Sequence, residues 1–114
     1  MALFVLKGPY ALTKKTIDEV VTETSAGVYA LGRNDTTNAF FIDYLGRSDN
    51  DVNKRLHEWE GKYERFRFDY FPSAKAAFEK ECKLFHDFEP PSNTTHPDRP
   101  EDTNWICPRC RIFD

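Results

Sequence analysis

Hydrophobic and polar positions in residues 74–88 repeat with the period of an amphipathic helix. On a helical wheel of about 100° per residue, one arc carries the apolar side chains of Ala74, Ala77, Phe78, Leu84, Phe85 and Phe88. Charged side chains lie on the opposite side, namely Lys80, Lys83 and Asp87. Glu81 falls near the middle of the apolar arc, where an unpaired carboxylate is costly to bury. The pattern therefore predicts a helix that directs one glutamate toward the interior.

The preceding residues predict two further helices and three strands. Residues 13–22 are expected to form a short helix with Thr13 as its N-cap. Residues 48–61 are expected to form a second helix, with Ser48 or Asp49 as its N-cap. Aromatic and β-branched runs predict strands at residues 27–33, 39–46 and 64–71. The turn-forming residues between the first two runs predict a β-hairpin, and helices packed on strands make the expected fold class α+β.

Composition agrees with one folded domain. The chain has 114 residues, of which 39% are hydrophobic, and ten phenylalanines supply material for a core. No apolar run approaches the length of a membrane span, and the N-terminal stretch lacks the basic region of a signal peptide, so a cytoplasmic location is expected. The net charge of −3 gives no support for non-specific electrostatic capture of nucleic acid.

Arg55 borders the apolar face of the second predicted helix. Val52, Leu56 and Trp59 form that face, and Arg55 lies about 40° from Trp59 on the wheel. A guanidinium in such a position needs an anion, which is either a protein carboxylate or a phosphate of a ligand. The wheel alone favours a structural ion pair between Arg55 and Glu81, and phosphate binding is the alternative.

Five short motifs follow one another along the chain: GVY at 27–29, YLG at 44–46, RL at 55–56, ECKLF at 81–85 and EPPSN at 89–93. In this order, and on these predicted elements, the motifs resemble those of the GIY-YIG nuclease family. The resemblance extends from about residue 25 to residue 97. It implies a small three-stranded antiparallel sheet flanked by helices. The chain then divides into an N-terminal helical extension, a nuclease-like domain and a C-terminal tail, at residues 1–24, 25–93 and 94–114.

The resemblance also implies a site. In the family, two tyrosines and an arginine line a cleft, and a glutamate binds one divalent cation. By position, the corresponding catalytic residues are Tyr29, Tyr44, Arg55 and Glu81, with Asn93 as a later polar residue. The implied reaction is hydrolysis of a DNA phosphodiester with Mg²⁺ or Mn²⁺, in which Tyr29 orients or deprotonates water and Tyr44 positions the phosphate. A cation site would explain the inward direction of Glu81.

The chain departs from the family pattern at several positions. The hairpin is longer than usual, and one extra residue precedes Arg55, which leaves Arg47 as a rival catalytic arginine. Arg47 and Lys54 are further expected to contact the substrate. Trp59 stands where many members have a histidine, while His57 points outward on the wheel.

Two classes of function therefore stay open. The first is a DNA-cleaving hydrolase. The second is a catalytically weak or inactive module of the same fold that binds nucleic acid or protein, which the acidic balance and the missing histidine favour. Small members of the family usually gain target choice from attached domains, and none is expected here. The chain is therefore expected to be structure-selective, poorly specific, or dependent on a protein partner that supplies target specificity.

The tail carries Cys107 and Cys110 in C-x-x-C spacing, which is typical of metal or redox sites. A redox motif needs a helix that starts at the first cysteine, and only four residues follow Cys110, so metal binding is favoured. Structural zinc needs four ligands, and Cys82 and His86 share a face of the third helix. The predicted zinc ligands are therefore Cys82, His86, Cys107 and Cys110, with His96 as the alternate.

Overall fold

The computed structural model describes residues 6–34, 36–37 and 39–113. Its elements are β1 (Lys7–Ala11), α1 (Lys14–Val20), β2 (Gly27–Asn34), β3 (Phe40–Ser48), α2 (Val52–His57), β4 (Arg65–Tyr70) and α3 (Ala74–Phe88). The expected α+β class is confirmed. None of the described helices is long and apolar enough to cross a membrane.

The sheet has four antiparallel strands in the order β1-β4-β2-β3, so the expectation of three strands is wrong. The missed strand is β1, in which Tyr10 pairs with Phe66 and Ala11 with Arg65. The N-terminal segment is thus a strand and a helix rather than a helical extension. Its short sequence, KGPYA, hides the strand because Gly8 and Pro9 are unfavourable inside a sheet, although an edge strand such as β1 tolerates proline.

Side chains alternate between the two faces of the sheet, and helices cover both faces. Helices α1 and α2 pack on the face that carries Tyr29 and Leu31. Helix α3 packs on the opposite face, against Val28, Ala30 and Leu45. The predicted hairpin is confirmed, since β2 pairs with β3 along the whole of β2.

Each helix begins at a side-chain N-cap. Thr13 caps α1, as predicted, by accepting a hydrogen bond from the Thr16 N–H. Asp51 caps α2 in place of the predicted Ser48 or Asp49, because β3 continues as far as Ser48. The start of α2 is therefore later than the sequence pattern indicated.

Helix α2 also ends early, at His57. The following N–H groups bond carbonyl oxygens three residues back, as Trp59 does to Leu56, which makes a tighter winding than an α-helix. The α-helical wheel that placed Trp59 near Arg55 therefore does not apply beyond His57.

The chain after α3, from residue 89 onward, is called the tail from here on. Its described residues contain no helix or strand and lie against the rest of the molecule. Trp105 and Phe113 each lie with ring centroids 5.8 Å from the ring of Phe78 on α3. The Ser92 N–H donates to the Asp43 carbonyl of β3 at 2.8 Å. The tail thus contacts both α3 and β3.

Candidate functional site

A polar cavity of about 230 Å³ opens where β2, β3, α2 and α3 meet, and it is lined by Tyr29, Tyr44, Gly46, Arg47, Asp49, Arg55 and Glu81. Four of the predicted catalytic residues and the rival arginine therefore lie together. A larger cavity of about 390 Å³ lies between the hairpin and the end of α3, and its described lining is mostly apolar. The described lining of this larger cavity has no carboxylate, whereas the smaller cavity has two, so the smaller cavity is the candidate site for cation and phosphate binding.

The two tyrosines lie on adjacent strands and on the same face of the sheet, as expected. Tyr29 pairs with Gly46, and Tyr44 pairs with Leu31 two positions further along β2. Gly46 is required here because a Cβ atom at this position would lie 2.4 Å from the hydroxyl oxygen of Tyr29. The glycine lets the Tyr29 ring lie across β3 and bring its hydroxyl to the cavity.

Trp59 determines the hydrogen bonding of Tyr29. The indole Nε1–H donates to the Tyr29 Oη at 2.9 Å, and an indole nitrogen is only a donor. Burial raises the pKa of the Tyr29 hydroxyl, the neighbouring Tyr44 adds to the rise, and the bond from Trp59 offsets only part of it. Tyr29 is therefore a neutral phenol at neutral pH, and its own proton is directed to a partner other than Trp59.

Arg47, and not Arg55, forms the ion pair with Glu81. Arg47 Nη1 donates to Glu81 Oε1 at 2.7 Å, and the two side chains are 12% and 8% exposed. Arg47 Nε also donates to Asp49 Oδ1 at 2.9 Å. The predicted Arg55–Glu81 pair is wrong because Arg47 shares with Leu45 the side of β3 that faces α3, whereas Arg55 lies on α2, which covers the other face.

Arg55 lines the cavity from α2 with 48% of its side chain exposed. Its Nε lies 3.6 Å from Glu58 Oε2, and such exposed pairs hold a side chain weakly. The neighbouring Lys54 is exposed and lines an adjoining hollow with Arg55. Both cations are therefore accessible to an anion that approaches the cavity.

Glu81 is the most buried acid of the cavity, with 6% of the residue exposed. Burial raises the pKa of the Glu81 carboxyl above its ordinary value, and the ion pair with Arg47 offsets part of this rise. A carboxylate in this position could bind a divalent cation, whose positive charge would stabilise the buried negative charge. A cation bound at Glu81 would compete with Arg47 for the same oxygen.

Asn93 does not line the cavity. Its side-chain oxygen accepts a hydrogen bond from the Leu45 N–H at 2.7 Å, and its Nδ2 donates to the Leu45 carbonyl at 3.0 Å. Leu45 lies between Tyr44 and Gly46, both of which do line the cavity. The predicted catalytic position is thus a contact that attaches the tail to the backbone of β3.

A second group of side chains comes together where the tail meets α3. One ligand atom from each of His86, His96, Cys107 and Cys110 lies within 4.8 Å of all the others. The Nε2 atoms of the two histidines are 3.2 Å apart, and Cys110 Sγ is 3.5 Å from His96 Nε2. Two imidazoles and two thiols are the ligand set of many tetrahedral structural zinc sites, so this group could bind a metal such as zinc.

Cys82 is outside this group, and the alternate ligand His96 takes its place. Cys82 is fully buried beside Phe78 and Cys107. Burial raises the pKa of its thiol, and the nearby Cys107 adds to the rise, which opposes the thiolate form that binds metals. The sequence pattern missed this choice because it contains no information on the path of the tail, which carries His96 to His86.

No protein-family model, curated protein or solved structure matches this chain. The function must therefore be inferred from the chemistry of the cavity and of the tail, together with the motif resemblance.

Proposed function

We propose that this chain is a nuclease-like hydrolase that cleaves DNA phosphodiester bonds with one divalent cation, Mg²⁺ or Mn²⁺. The observation that carries the proposal is the convergence of a buried carboxylate, two tyrosine hydroxyls and two guanidinium groups in one cavity. A phosphodiester presents an anion, and its hydrolysis requires a positioned water and relief of charge in the transition state. The five side chains supply groups for both requirements.

Glu81 is the residue that would hold the cation through oxygen, and the cation, when bound, polarises a phosphate oxygen and stabilises the leaving group. Arg55, which is half exposed and only weakly paired with Glu58, donates to the non-bridging phosphate oxygens. Arg47 is held by its ion pair with Glu81. Its release would add a second guanidinium for the phosphate.

Tyr29 acts as a hydrogen-bond donor in this proposal rather than as a base. Its pKa is raised by burial, so at neutral pH the phenol keeps its proton and positions the attacking water. Tyr44 is half-buried on the same wall and positions the phosphate. Trp59 donates a hydrogen bond to Tyr29, and it stands at the position where many members of the GIY-YIG family have a histidine.

The test is a cleavage assay on end-labelled nicked, branched and single-stranded DNA with Mg²⁺ or Mn²⁺. Glu81→Ala should reduce the rate by at least about 100-fold, since the variant lacks the cation ligand. Glu79→Ala on the same helix is the matched control and should cleave like the unmodified protein. Cleavage by Glu81→Ala at the normal rate, or no cleavage of any substrate by the unmodified protein, would contradict the proposal.

The Arg47–Glu81 ion pair also favours a second candidate, a catalytically weak or inactive binding module whose targets are chosen by a protein partner. In such a module Arg47 takes the place of the cation permanently. Calorimetric titration with Mn²⁺ separates the two functions. A hydrolase should bind Mn²⁺ in a manner that Glu81→Ala abolishes, whereas the module should bind none and keep its affinity for DNA in that variant.

We further propose that the group at the tail holds one structural Zn²⁺ through His86, His96, Cys107 and Cys110. Four protein ligands leave no position open for substrate, so the site stabilises and does not catalyse. Elemental analysis of protein purified without chelators should give one zinc per chain. His96→Ala should lose the zinc and Cys82→Ala should keep it, and the reverse result would restore Cys82 as the ligand.

A further inference from the structure

Three aromatic rings continue the wall of the cavity outward, and we call Tyr44, Trp59 and Tyr63 the aromatic row. The ring centroids of Tyr44 and Trp59 are 4.8 Å apart, and those of Trp59 and Tyr63 are 6.0 Å apart. All three residues are only partly buried. Each of the three residues packs against the core on one side and keeps only part of its surface exposed, beside the groups proposed to act on a phosphate.

Cations accompany the aromatic row. The Lys62 Nζ lies 5.5 Å from the centre of the Trp59 ring, and Lys62 is exposed. Arg55 and the exposed Lys54 lie on the neighbouring helix α2. Aromatic side chains beside exposed cations are features by which proteins hold an unpaired nucleic-acid strand, in which bases stack on rings and phosphates contact cations.

The charge of the whole chain gives little attraction for nucleic acid of any form, so affinity has to come from local contacts. A duplex offers mainly phosphates to a protein that makes no groove contacts, and its binding depends on many cationic contacts. This chain carries 19 acidic and 16 basic residues, so electrostatic attraction alone is weak. Base stacking supplies affinity without added charge, and only an unpaired base has a face available for it.

We propose that the aromatic row binds unpaired bases next to the phosphate in the cavity, so that the substrate class is single-stranded nucleic acid or the single-stranded part of a branched one. The identity of the cavity ligand rests on the proposed function. Trp59 links the two sites, because its ring belongs to the row and its Nε1–H holds the Tyr29 hydroxyl.

The test is equilibrium binding by fluorescence anisotropy without divalent cations and without chelators. The probes are a labelled oligothymidine, an abasic oligonucleotide with the same number of phosphates, and the oligothymidine paired with its complement. The oligothymidine should bind roughly tenfold more tightly than either other probe, the size expected from stacking one base. Equal affinity for the abasic strand, or tighter binding of the duplex, would overturn the proposal.

Variants assign the effect to the row. Tyr63→Leu and Trp59→Leu should each weaken oligothymidine binding roughly tenfold and leave abasic binding unchanged. Trp59→Phe should retain most of the affinity, because it keeps a ring and loses only the N–H. Phe41→Leu is the control, since Phe41 is 50% exposed but lies outside the row. Oligothymidine affinity that Tyr63→Leu and Trp59→Leu leave unchanged would refute the row as the binding surface.

A second measurement does not depend on the folding of the Trp59 variant. In a Trp105→Phe background, oligothymidine should quench the remaining fluorescence of Trp59, and the abasic strand should not. Stacking without cleavage in any metal would support the row and refute the hydrolase. Cleavage at the normal rate by every variant of the row would support the hydrolase and refute the row as the binding surface.

Discussion

At the scale of single residues, Arg47 decides the charge of the cavity. Its guanidinium bonds Glu81 and Asp49 and lies 5.1 Å from the ring of Phe78. Arg55 lines the same cavity but keeps its contact with solvent. The two arginines should therefore differ sharply in what they contribute to stability.

Arg47→Ala should lower the free energy of unfolding by about 3 kcal/mol at pH 8, because it leaves the Glu81 carboxylate buried and unpaired. The loss should shrink at pH 5, where the carboxyl group of the variant takes up a proton. Arg55→Ala should cost less than about 1 kcal/mol, since its pair with Glu58 is exposed. Urea denaturation at both pH values measures the difference, and equal losses for the two variants would disprove it.

His57 provides a second residue-scale contribution, on the outer side of α2. Its Nε2 lies 2.8 Å from Asp18 Oδ1, and its Nδ1 bonds Glu60. Burial lowers the pKa of His57, but the hydrogen bonds to Glu60 and Asp18 raise it more, so the net direction is upward. A raised pKa in the folded state means that protonation of His57 favours folding.

The stabilisation by His57 is fully present below the pKa of the unfolded histidine, near 6.5, and is lost as the pH rises through the higher folded value. The chain should therefore be more stable, relative to His57→Gln, at pH 6 than at pH 8.5. Thermal melts of both proteins at the two pH values give this comparison. A difference between the proteins that does not change with pH would show that the raised pKa is absent.

At the scale of elements, the main feature is how the outer edge of β3 is covered. In the described part of the chain, β3 has a strand partner on one side only. Ser92 bonds Asp43, and Asn93 bonds both backbone groups of the buried Leu45. The tail thus satisfies backbone groups that an exposed edge would leave open to other chains.

Asn93→Ala should lower the free energy of unfolding by about 1–3 kcal/mol, the usual cost of leaving buried polar groups without partners. Thr94→Ala is the matched control, because Thr94 is exposed and adjacent in sequence. Chemical denaturation of both variants measures the effect. If Asn93→Ala is as stable as Thr94→Ala, water replaces the amide, and the two hydrogen bonds between Asn93 and Leu45 contribute nothing to stability.

At the scale of the whole molecule, the tail is held by the proposed zinc site, by Asn93 and by two aromatic rings packed on Phe78. Residues 89–106 contain four prolines and little apolar surface, so burial alone offers little to order them. Structural zinc contributes on the order of 10 kcal/mol in small sites. The order of the tail should therefore depend on the metal more than the order of the sheet does.

Chelation should lower the melting temperature and increase hydrogen exchange of the amides in residues 94–113, while the amides of β2 and β4 stay protected. The reason is that the sheet has its own core, whereas the described residues of the tail contain no helix or strand and three of them are proposed zinc ligands. Mass spectrometry of peptides before and after chelation measures both regions. Equal loss of protection in sheet and tail would mean that zinc is required for the whole fold.

Some features of this protein depended only on residues near one another in the sequence. Periodic apolar positions predicted α3 and the inward Glu81, and turn residues predicted the β2–β3 hairpin. The Thr13 cap was likewise predicted. These predictions succeeded because a helix, a cap and a hairpin are each determined by contacts within one short segment.

Other features were decided only by the tertiary structure. Strand β1 exists because β4 offers it an edge, Arg47 reaches Glu81 because α3 packs on its side of β3, and His96 replaces Cys82 because the tail folds back to His86. Each of these pairs joins residues that are ten or more positions apart in the sequence. Their proximity depends on how the elements pack, and local periodicity contains no information about that packing.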